Sequence, residues 1–302
     1  MLKILATDGI DSAARESLES MGHAVTEKFF ELEELKTAVT EYDIIVVRSA
    51  TKVRKPILDA AHAAGKLKMV IRAGVGIDNI DAEYAESLGI KVRNTPNSSS
   101  ASVAELALAH MLSLARFVGI ANVTMREGQW NKKAYTGTEL SGKTLGLIGF
   151  GRISIELAKK AEALGMKILY TNRRGPREEY PDYKYAELDE LLRTSDFVSI
   201  HTPAMPDGKA LIGAEELSLM KKSSFIINCA RGGIIDERAL LEALQNELIS
   251  GAGIDVFEEE PAKNIELISH PRVSVTPHIG GSTAEAQERI GGEIVDIIKS
   301  NF

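Results

Sequence analysis

Residues 145–154 read L-G-L-I-G-F-G-R-I-S, an apolar run of strand length that breaks at a glycine-spaced turn and leads into a helix-forming segment. Gly149 and Gly151 hold the first two positions of a G-x-G-x-x-G loop, and Ser154 stands at the third. Gly149 permits the tight turn, and Gly151 lets the backbone approach a pyrophosphate with no Cβ in the way. A helix starting near Arg152 then offers unpaired N–H groups to the phosphates. The short side chain of Ser154 is expected to preserve close helix-to-strand packing. Such a loop caps the carboxyl end of a strand in an open parallel sheet, which makes the fold class α/β.

On both sides of this loop, apolar runs of strand length alternate with longer amphipathic runs along the whole chain. After the glycine loop the expected strands are 144–148, 167–170, 197–201, 224–228, 252–256 and 273–276, six in all, as suits a dinucleotide-binding sheet. Before it they are 2–6, 24–27, 44–48, 69–73 and 91–93, with helices such as 12–21 between them. The turn-rich N-T-P-N-S-S-S-A-S at 94–102 gives way to an apolar helix over 103–117, which places a domain crossing there. A last helix, about 283–299, is expected to pack back on the first domain. Two doubly wound parallel-sheet domains follow, the first of them discontinuous.

Composition narrows the function. Lys and Arg number 36 against 43 Asp and Glu, a net charge of −7, which disfavours nucleic acid or an anionic membrane as a general partner. The single cysteine, Cys229, supports neither an internal disulfide nor a cysteine-rich metal site. No N-terminal leader pattern or long apolar span is evident, so the expectation is a cytoplasmic protein. His23, His62, His110 and His270 lack metal-ligand spacing and read as structural or solvated; no metal is expected.

About 20 residues beyond a dinucleotide loop, an acid normally holds the ribose hydroxyls of NAD. Here that strand ends Y-T-N-R-R, with Asn172 at the position and Arg173 and Arg174 beside it. A neutral amide flanked by guanidinium groups tolerates or attracts a 2′-phosphate, so both NAD and NADP are open. The two arginines read equally well as a solvated surface pair.

Three later strands each deliver a reactive side chain to the same edge of the sheet. S-F-I-I-N-C-A leads to Arg231, A-G-I-D-V-F-E-E-E-P carries Glu260, and V-S-V-T-P leads to His278. An anion clamp, an acid and a proton carrier titrating near neutrality suit reversible carbonyl and alcohol chemistry. His201 also follows a strand, with no evident carboxylate partner; it lines the adenosine side or has no role. In the first domain, Arg48 and Arg72 end strands, and Gly74 and Gly76 are placed to expose backbone N–H groups as a nest for a carboxylate. Two basic strand edges facing each other would form a cleft for a small, multiply charged anion.

V-R-S-A-T-K-V (47–53), R-A-G-V-G-I-D-N-I-D (72–81), N-T-P-N (94–97), G-T-E-L-S-G-K-T-L-G-L-I-G-F-G-R-I (137–153), N-C-A-R-G-G-I-I-D-E (228–237), G-I-D-V-F-E-E-E-P (253–261) and T-P-H-I-G-G-S-T-A-E-A-Q (276–287) occur in this order. In that order they resemble the D-isomer-specific 2-hydroxyacid dehydrogenases over nearly the whole chain. The resemblance implies a Rossmann nucleotide domain at 99–282, a smaller flavodoxin-like substrate domain at 1–98 and 283–302, and an interdomain cleft. It implies a catalytic set of Arg231, Glu260 and His278. Cofactor contacts would fall on Gly149, Gly151, Arg152, Ile153, Asn172, Arg173, Thr202, Cys229, Ala230, Arg231, Asp255, His278 and Gly280. Substrate contacts would fall on Arg48, Arg72, Val75, Gly76 and Arg231. The family's usual P-N-G-N-S is P-N-S-S-S here, so Ser98 and Ser99 depart from the pattern.

The implied activity is NAD- or NADP-dependent interconversion of (R)-3-phosphoglycerate and 3-phosphooxypyruvate, the first oxidation toward L-serine, by a homodimer joined through 102–140. An NADPH-preferring reductase of glyoxylate or hydroxypyruvate is the alternative, and a non-catalytic NAD(H)-sensing corepressor is a third reading. Because the chain stops at Phe302 after the returning helix, feedback by serine through a further domain is not expected.

Overall fold

The computed structural model describes residues 1–205 and 207–302, which fall into two compact units, 1–99 with 281–302 and 100–280. Unit 1 runs β1 (Lys3–Ala6), α1 (Ser12–Ser20), β2 (Ala24–Glu27), α2 (Leu32–Ala38), β3 (Ile44–Val47), α3 (Lys55–Ala64), β4 (Met69–Arg72), α4 (Ala82–Ser87) and β5 (Lys91–Asn94). Unit 2 runs α5 (Ser100–Arg116), α6 (Val118–Arg126), β6 (Thr144–Ile148), α7 (Arg152–Ala163), β7 (Lys167–Thr171), β8 (Lys184–Tyr185), α8 (Leu188–Thr194) and β9 (Phe197–Ile200). It continues through α9 (Ala214–Leu219), β10 (Phe225–Asn228), α10 (Glu237–Gln245), β11 (Gly251–Ile254), α11 (Ile265–Ile268) and β12 (Val273–Val275). The last helix, α12 (Ala284–Asn301), returns to unit 1.

The sheet of unit 1 is parallel with order β2-β1-β3-β4-β5. Its central strand I-I-V-V is buried at every position, the composition expected where both faces of a parallel sheet are covered. Ile45 and Val47 point into one cluster with Ile57 and Leu58 of α3; Ile44 and Val46 point into the other, with Ile290, Ile294 and Ile298 of α12. Each such side chain contributes about 1.5–3 kcal/mol by leaving water. Gly291 lets α12 lie close to α1, since a Cβ there would stand 2.7 Å from that of Ala14. Both helices start on side-chain caps: Asp11 accepts from the Ala14 N–H, and Thr283 from the Ala286 N–H.

The sheet of unit 2 is also parallel, with order β12-β11-β10-β9-β6-β7-β8, a doubly wound arrangement. It has one strand more than the six expected. The addition, β8, is two residues long, too short for any hydrophobic period to register. Helix α5 begins at Ser100, three residues before the apolar stripe that marks it in the sequence, because its first turn is built of serine and alanine. Helix α6 has no counterpart among the expected elements; none of its residues is buried, so it carries no core-facing stripe. Among the described residues no single helix is long and apolar enough to cross a membrane. Strand order reverses between β1 and β3 in one sheet and between β6 and β9 in the other, and ligand crevices open at such points.

Candidate active site

The glycine turn follows β6 at its reversal point. Gly149 has φ +86°, and a Cβ there would stand 2.7 Å from the His201 carbonyl oxygen and 2.8 Å from Thr202 Cγ2. Only glycine fits both the backbone conformation and the space. A Cβ on Gly151, in contrast, would meet nothing within 4 Å, so the backbone borders open space. Gly151 caps α7 without a side-chain hydrogen bond. The departure at Ser154 has a local explanation: its side chain is fully buried and Oγ donates to the Gly149 carbonyl at 2.6 Å, tying the turn from within. Beside the turn, His201 Nδ1 and Thr202 Oγ1 are enclosed without a protein partner. Burial pushes the His201 pKa down to about 4, so its ring is neutral at pH 7. Open backbone, uncapped helix N–H groups and enclosed polar atoms without partners together fit a dinucleotide phosphate and its adjoining sugar.

At the end of β7, Asn172 shapes its own turn: Nδ2 donates to the Gly175 carbonyl and Oδ1 accepts from the Arg174 N–H. Arg173 and Arg174 are exposed, and their guanidinium groups form no ion pair among the described residues. Arg177, which the sequence does not single out, donates from Nη1 to the Phe150 carbonyl at 3.1 Å and stacks over Tyr180. Phe150 itself stacks on Tyr170 with centroids 4.0 Å apart. The middle residue of G-F-G is therefore an aromatic anchor that holds the turn onto the sheet.

Two of the three residues from later strands meet directly, and Arg231, whose Nη1 donates to the Ala230 carbonyl at 2.6 Å, stands close enough for its charge to act on Glu260. His278 Nδ1 lies 2.8 Å from Glu260 Oε2, with the two side chains 33% and 38% exposed, so the pair is reachable. Burial pushes the Glu260 pKa up, but the His278 hydrogen bond and charge, the Phe257 N–H and the Arg231 charge outweigh it and hold the carboxyl below its usual range. An ionised Glu260 only accepts, so Nδ1 carries the proton and Nε2 is the ring nitrogen that Glu260 does not engage. Gly232 permits the convergence: a Cβ there would stand 1.8 Å from the Phe257 carbonyl oxygen, so the Arg231 turn presses directly on the loop that bears Glu260. Glu237 and Glu258 tie the same two loops, each carboxylate accepting from the other's backbone N–H at 2.8 and 3.1 Å. Asn228 brackets the Cys229–Ala230 turn, accepting from the Ala230 N–H and donating to the Arg231 carbonyl. Cys229 is buried, which pushes its thiol pKa up and keeps it protonated.

Asp255 is 1% exposed, and its carboxylate accepts from Thr276 Oγ1 and the N–H groups of Ile279 and Gly280 at 2.6, 2.8 and 2.9 Å. His278 sits between them with φ +53°, and its N–H donates to the Asp255 carbonyl at 2.8 Å. A non-glycine residue is held in the left-handed region by the bonds on either side of it.

In unit 1, Asp8 and Asn79 hold the loop after β3, and the sequence singles out neither. Asp8 accepts from the N–H groups of Arg48 and Thr51 and from the Thr51 hydroxyl; Asn79 donates to both carbonyls. Both lie in turns without an apolar pattern, and only the fold brings them to this loop. The Arg48 guanidinium forms no ion pair among the described residues. Arg72 folds over Gly74 and donates to the Ala73 carbonyl. The expected nest shifts by one residue: the Gly74 N–H closes on the Arg72 carbonyl, while those of Val75 and Gly76 donate to no described residue. Ser98 and Ser99 are buried, and the Ser98 carbonyl accepts from Arg289 Nε of α12 at 2.9 Å.

Residues 108–280 match the profile of a family described as D-isomer specific 2-hydroxyacid dehydrogenase, NAD binding domain. The chain is 45% identical over 300 residues to a hydroxypyruvate reductase of Thermotoga maritima, covering 98% of this chain and 97% of that one. It is 43% identical over 302 residues to a D-3-phosphoglycerate dehydrogenase of Methanocaldococcus jannaschii, covering 99% of this chain but only 57% of that protein. Among solved structures, an NADPH-dependent glyoxylate/hydroxypyruvate reductase of Sinorhizobium meliloti, in complex with NADP and malonate, superposes with a TM-score of 0.86. That pair is 30% identical, with coverage of 99% and 93%.

Proposed function

The chain belongs to the D-isomer-specific 2-hydroxyacid dehydrogenases, and from that premise we propose that it interconverts (R)-3-phosphoglycerate and 3-phosphooxypyruvate. The observation that carries the chemistry is the 2.8 Å pair of His278 Nδ1 and Glu260 beside the Arg231 charge. A bound NAD or NADP supplies or takes the hydride at C2. His278 Nε2 takes the hydroxyl proton during oxidation and returns one to the developing alkoxide during reduction. Glu260 holds the ring through its Nδ1–H, and Arg231 binds the substrate carboxylate and polarises the carbonyl. Gly149, Gly151 and the first turn of α7 hold the pyrophosphate, and Arg173 with Arg174 accommodate a 2′-phosphate. In unit 1, Arg48, Arg72 and the N–H groups of Val75 and Gly76 are the proposed anion contacts.

A second reading is reduction of hydroxypyruvate or glyoxylate. It is favoured by the Thermotoga maritima relative, matched over 97% of its length. It is favoured too by Arg72, which is already engaged by the Ala73 carbonyl and so is less available to a phosphate. Steady-state rates on 3-phosphooxypyruvate, hydroxypyruvate and glyoxylate, each with NADH and NADPH, separate the two. The first reading predicts the highest kcat/KM on 3-phosphooxypyruvate; a preference of about tenfold or more for an unphosphorylated acid establishes the second.

The same proposal makes the protein a cytoplasmic homodimer. Helix α6 buries none of its residues, and Val118, Val123, Met125 and Trp130 are exposed along this stretch. A groove of about 680 Å³ beside them is lined by Phe117, Ile120, Val123, Pro271 and Val275 among others. A second copy covers such a face economically. Sedimentation velocity tests this: a dimer is expected, and a monomer at micromolar concentration contradicts it.

A further inference from the structure

His110 is almost fully buried on α5, 2% exposed, and no part of the proposed chemistry uses it. Its Nδ1 lies 2.9 Å from Ser274 Oγ and its Nε2 lies 3.1 Å from Thr276 Oγ1. Thr276 Oγ1 is in turn 2.6 Å from Asp255 Oδ1, and the same carboxylate gathers the Ile279 and Gly280 N–H groups just after His278, so that it holds the turn from both sides. We propose that His110 is a positioning residue for the proton carrier, fixing the Thr276 hydroxyl, through it the Asp255 carboxylate, and so the backbone that aims His278. The proposal rests on the reading of His278 as acid and base.

Hydrogen-bond direction decides the arrangement. A carboxylate only accepts, so the single Thr276 hydroxyl proton points at Asp255. Thr276 Oγ1 must therefore accept from His110, which makes His110 the Nε2–H tautomer and leaves Nδ1 to accept from the Ser274 hydroxyl. Every bond from Ser274 to Asp255 then runs one way, and both ring nitrogens of His110 and both hydroxyls have a partner. Burial pushes the His110 pKa down against the pull of Asp255, so the ring stays neutral at pH 7. The main chain of β11 makes room for the ring: a Cβ on Gly253 would stand 2.7 Å from His110 Cβ and 3.1 Å from Cγ. Without the imidazole, Thr276 loses its donor and can turn its hydroxyl away, and Asp255 is left with fewer bonds to hold the turn.

The test uses the full chain and whichever pair of nicotinamide cofactor and 2-oxo acid the wild type turns over. His110→Phe and Thr276→Val should each lower kcat by about tenfold or more, the scale of a reacting group displaced by under an ångström. The dissociation constant of the cofactor should stay within about twofold, because the glycine turn is untouched. His110→Gln can still donate from Nε2 and accept at Oε1, so it should recover most of the loss. The double variant His110→Phe/Thr276→Val should be no worse than either single one. Wild-type kcat in His110→Phe, or His110→Gln as impaired as His110→Phe, overturns the proposal. Spectra of ¹⁵N-histidine-labelled wild type read the tautomer directly, with no turnover needed: His110 should be neutral and protonated at Nε2, and protonation at Nδ1 refutes the relay. An enzyme inactive on every acid tried would sink the functional reading while the spectrum still tests the relay, as it does if His110→Phe fails to fold.

Discussion

The turn at 149–154 and the turn at 276–280 both leave the carboxyl end of a strand in the same sheet, yet they are built in opposite ways. The first is shaped by what lies within a few residues: a glycine at φ +86°, an open backbone at Gly151, and Ser154 bonded to the Gly149 carbonyl five residues back. The second holds a histidine at φ +53° and owes its shape to groups distant in sequence: Asp255 is 21 to 25 residues away and His110 is 166 residues from Thr276. A surface that receives phosphates needs only backbone N–H groups in place, which local conformation supplies. A proton carrier needs one side chain aimed to within a fraction of an ångström, and that takes buried supports from other elements.

Among changes to the residues that support the two turns, the largest expected effect breaks the local one. Gly149→Ala adds a Cβ against the His201 carbonyl at 2.7 Å in a left-handed backbone, and cofactor affinity should fall about 100-fold, since the αL cost alone is about 1–2 kcal/mol before any clash. Titration with NADH or NADPH by fluorescence checks it. The next breaks the long-range turn. Asp255→Asn replaces a charged acceptor with an amide that must present its NH2 toward other donors, and kcat should fall by roughly 10- to 100-fold while the fold persists. Steady-state rates beside a thermal melt separate the two.

A smaller effect concerns pH and compares the surroundings of the two turns directly. His201 beside one and His110 behind the other both have pKa values lowered by burial, the former to about 4. Between pH 6.5, where these rings titrate in the unfolded chain, and their folded values, the unfolded state binds more protons. The stability these two rings contribute is therefore fully present above about pH 6.5 and is lost as pH falls toward their folded values. Melting temperatures over that range should drop less in His201→Gln than in the wild type; an identical pH dependence contradicts the assignment. The smallest effect is that of Ser154→Ala, which removes one neutral hydrogen bond worth about 1 kcal/mol and should raise the cofactor KM only a few-fold.

The same contrast explains which features are legible in the amino-acid sequence. The glycine loop, the parallel strands and the placement of Arg231, Glu260 and His278 past strand ends are legible, because each is signalled by residues close together: apolar runs, a G-x-G spacing, a polar residue just past a strand. Strand β8 is not legible, being two residues long, and neither is α6, which buries no residue. The supports escape for another reason. Asp8, Asn79, Arg177 and Asn228 act on backbone carbonyls and N–H groups of turns, contacts that leave no periodic trace in the sequence. His110 reads as a structural histidine on an apolar stripe, and only its two hydroxyl partners on and beside β12 give it a direction.

In the proposed mechanism His278, oriented by Glu260, carries the proton while the glycine turn independently holds the cofactor. Measuring kcat and cofactor affinity together on His278→Asn tests it most directly. Turnover should fall by about 10²- to 10⁴-fold, the usual share of a general acid–base, with the cofactor dissociation constant within a few-fold of wild type. A variant that keeps its turnover, or one that loses cofactor binding in proportion, contradicts it.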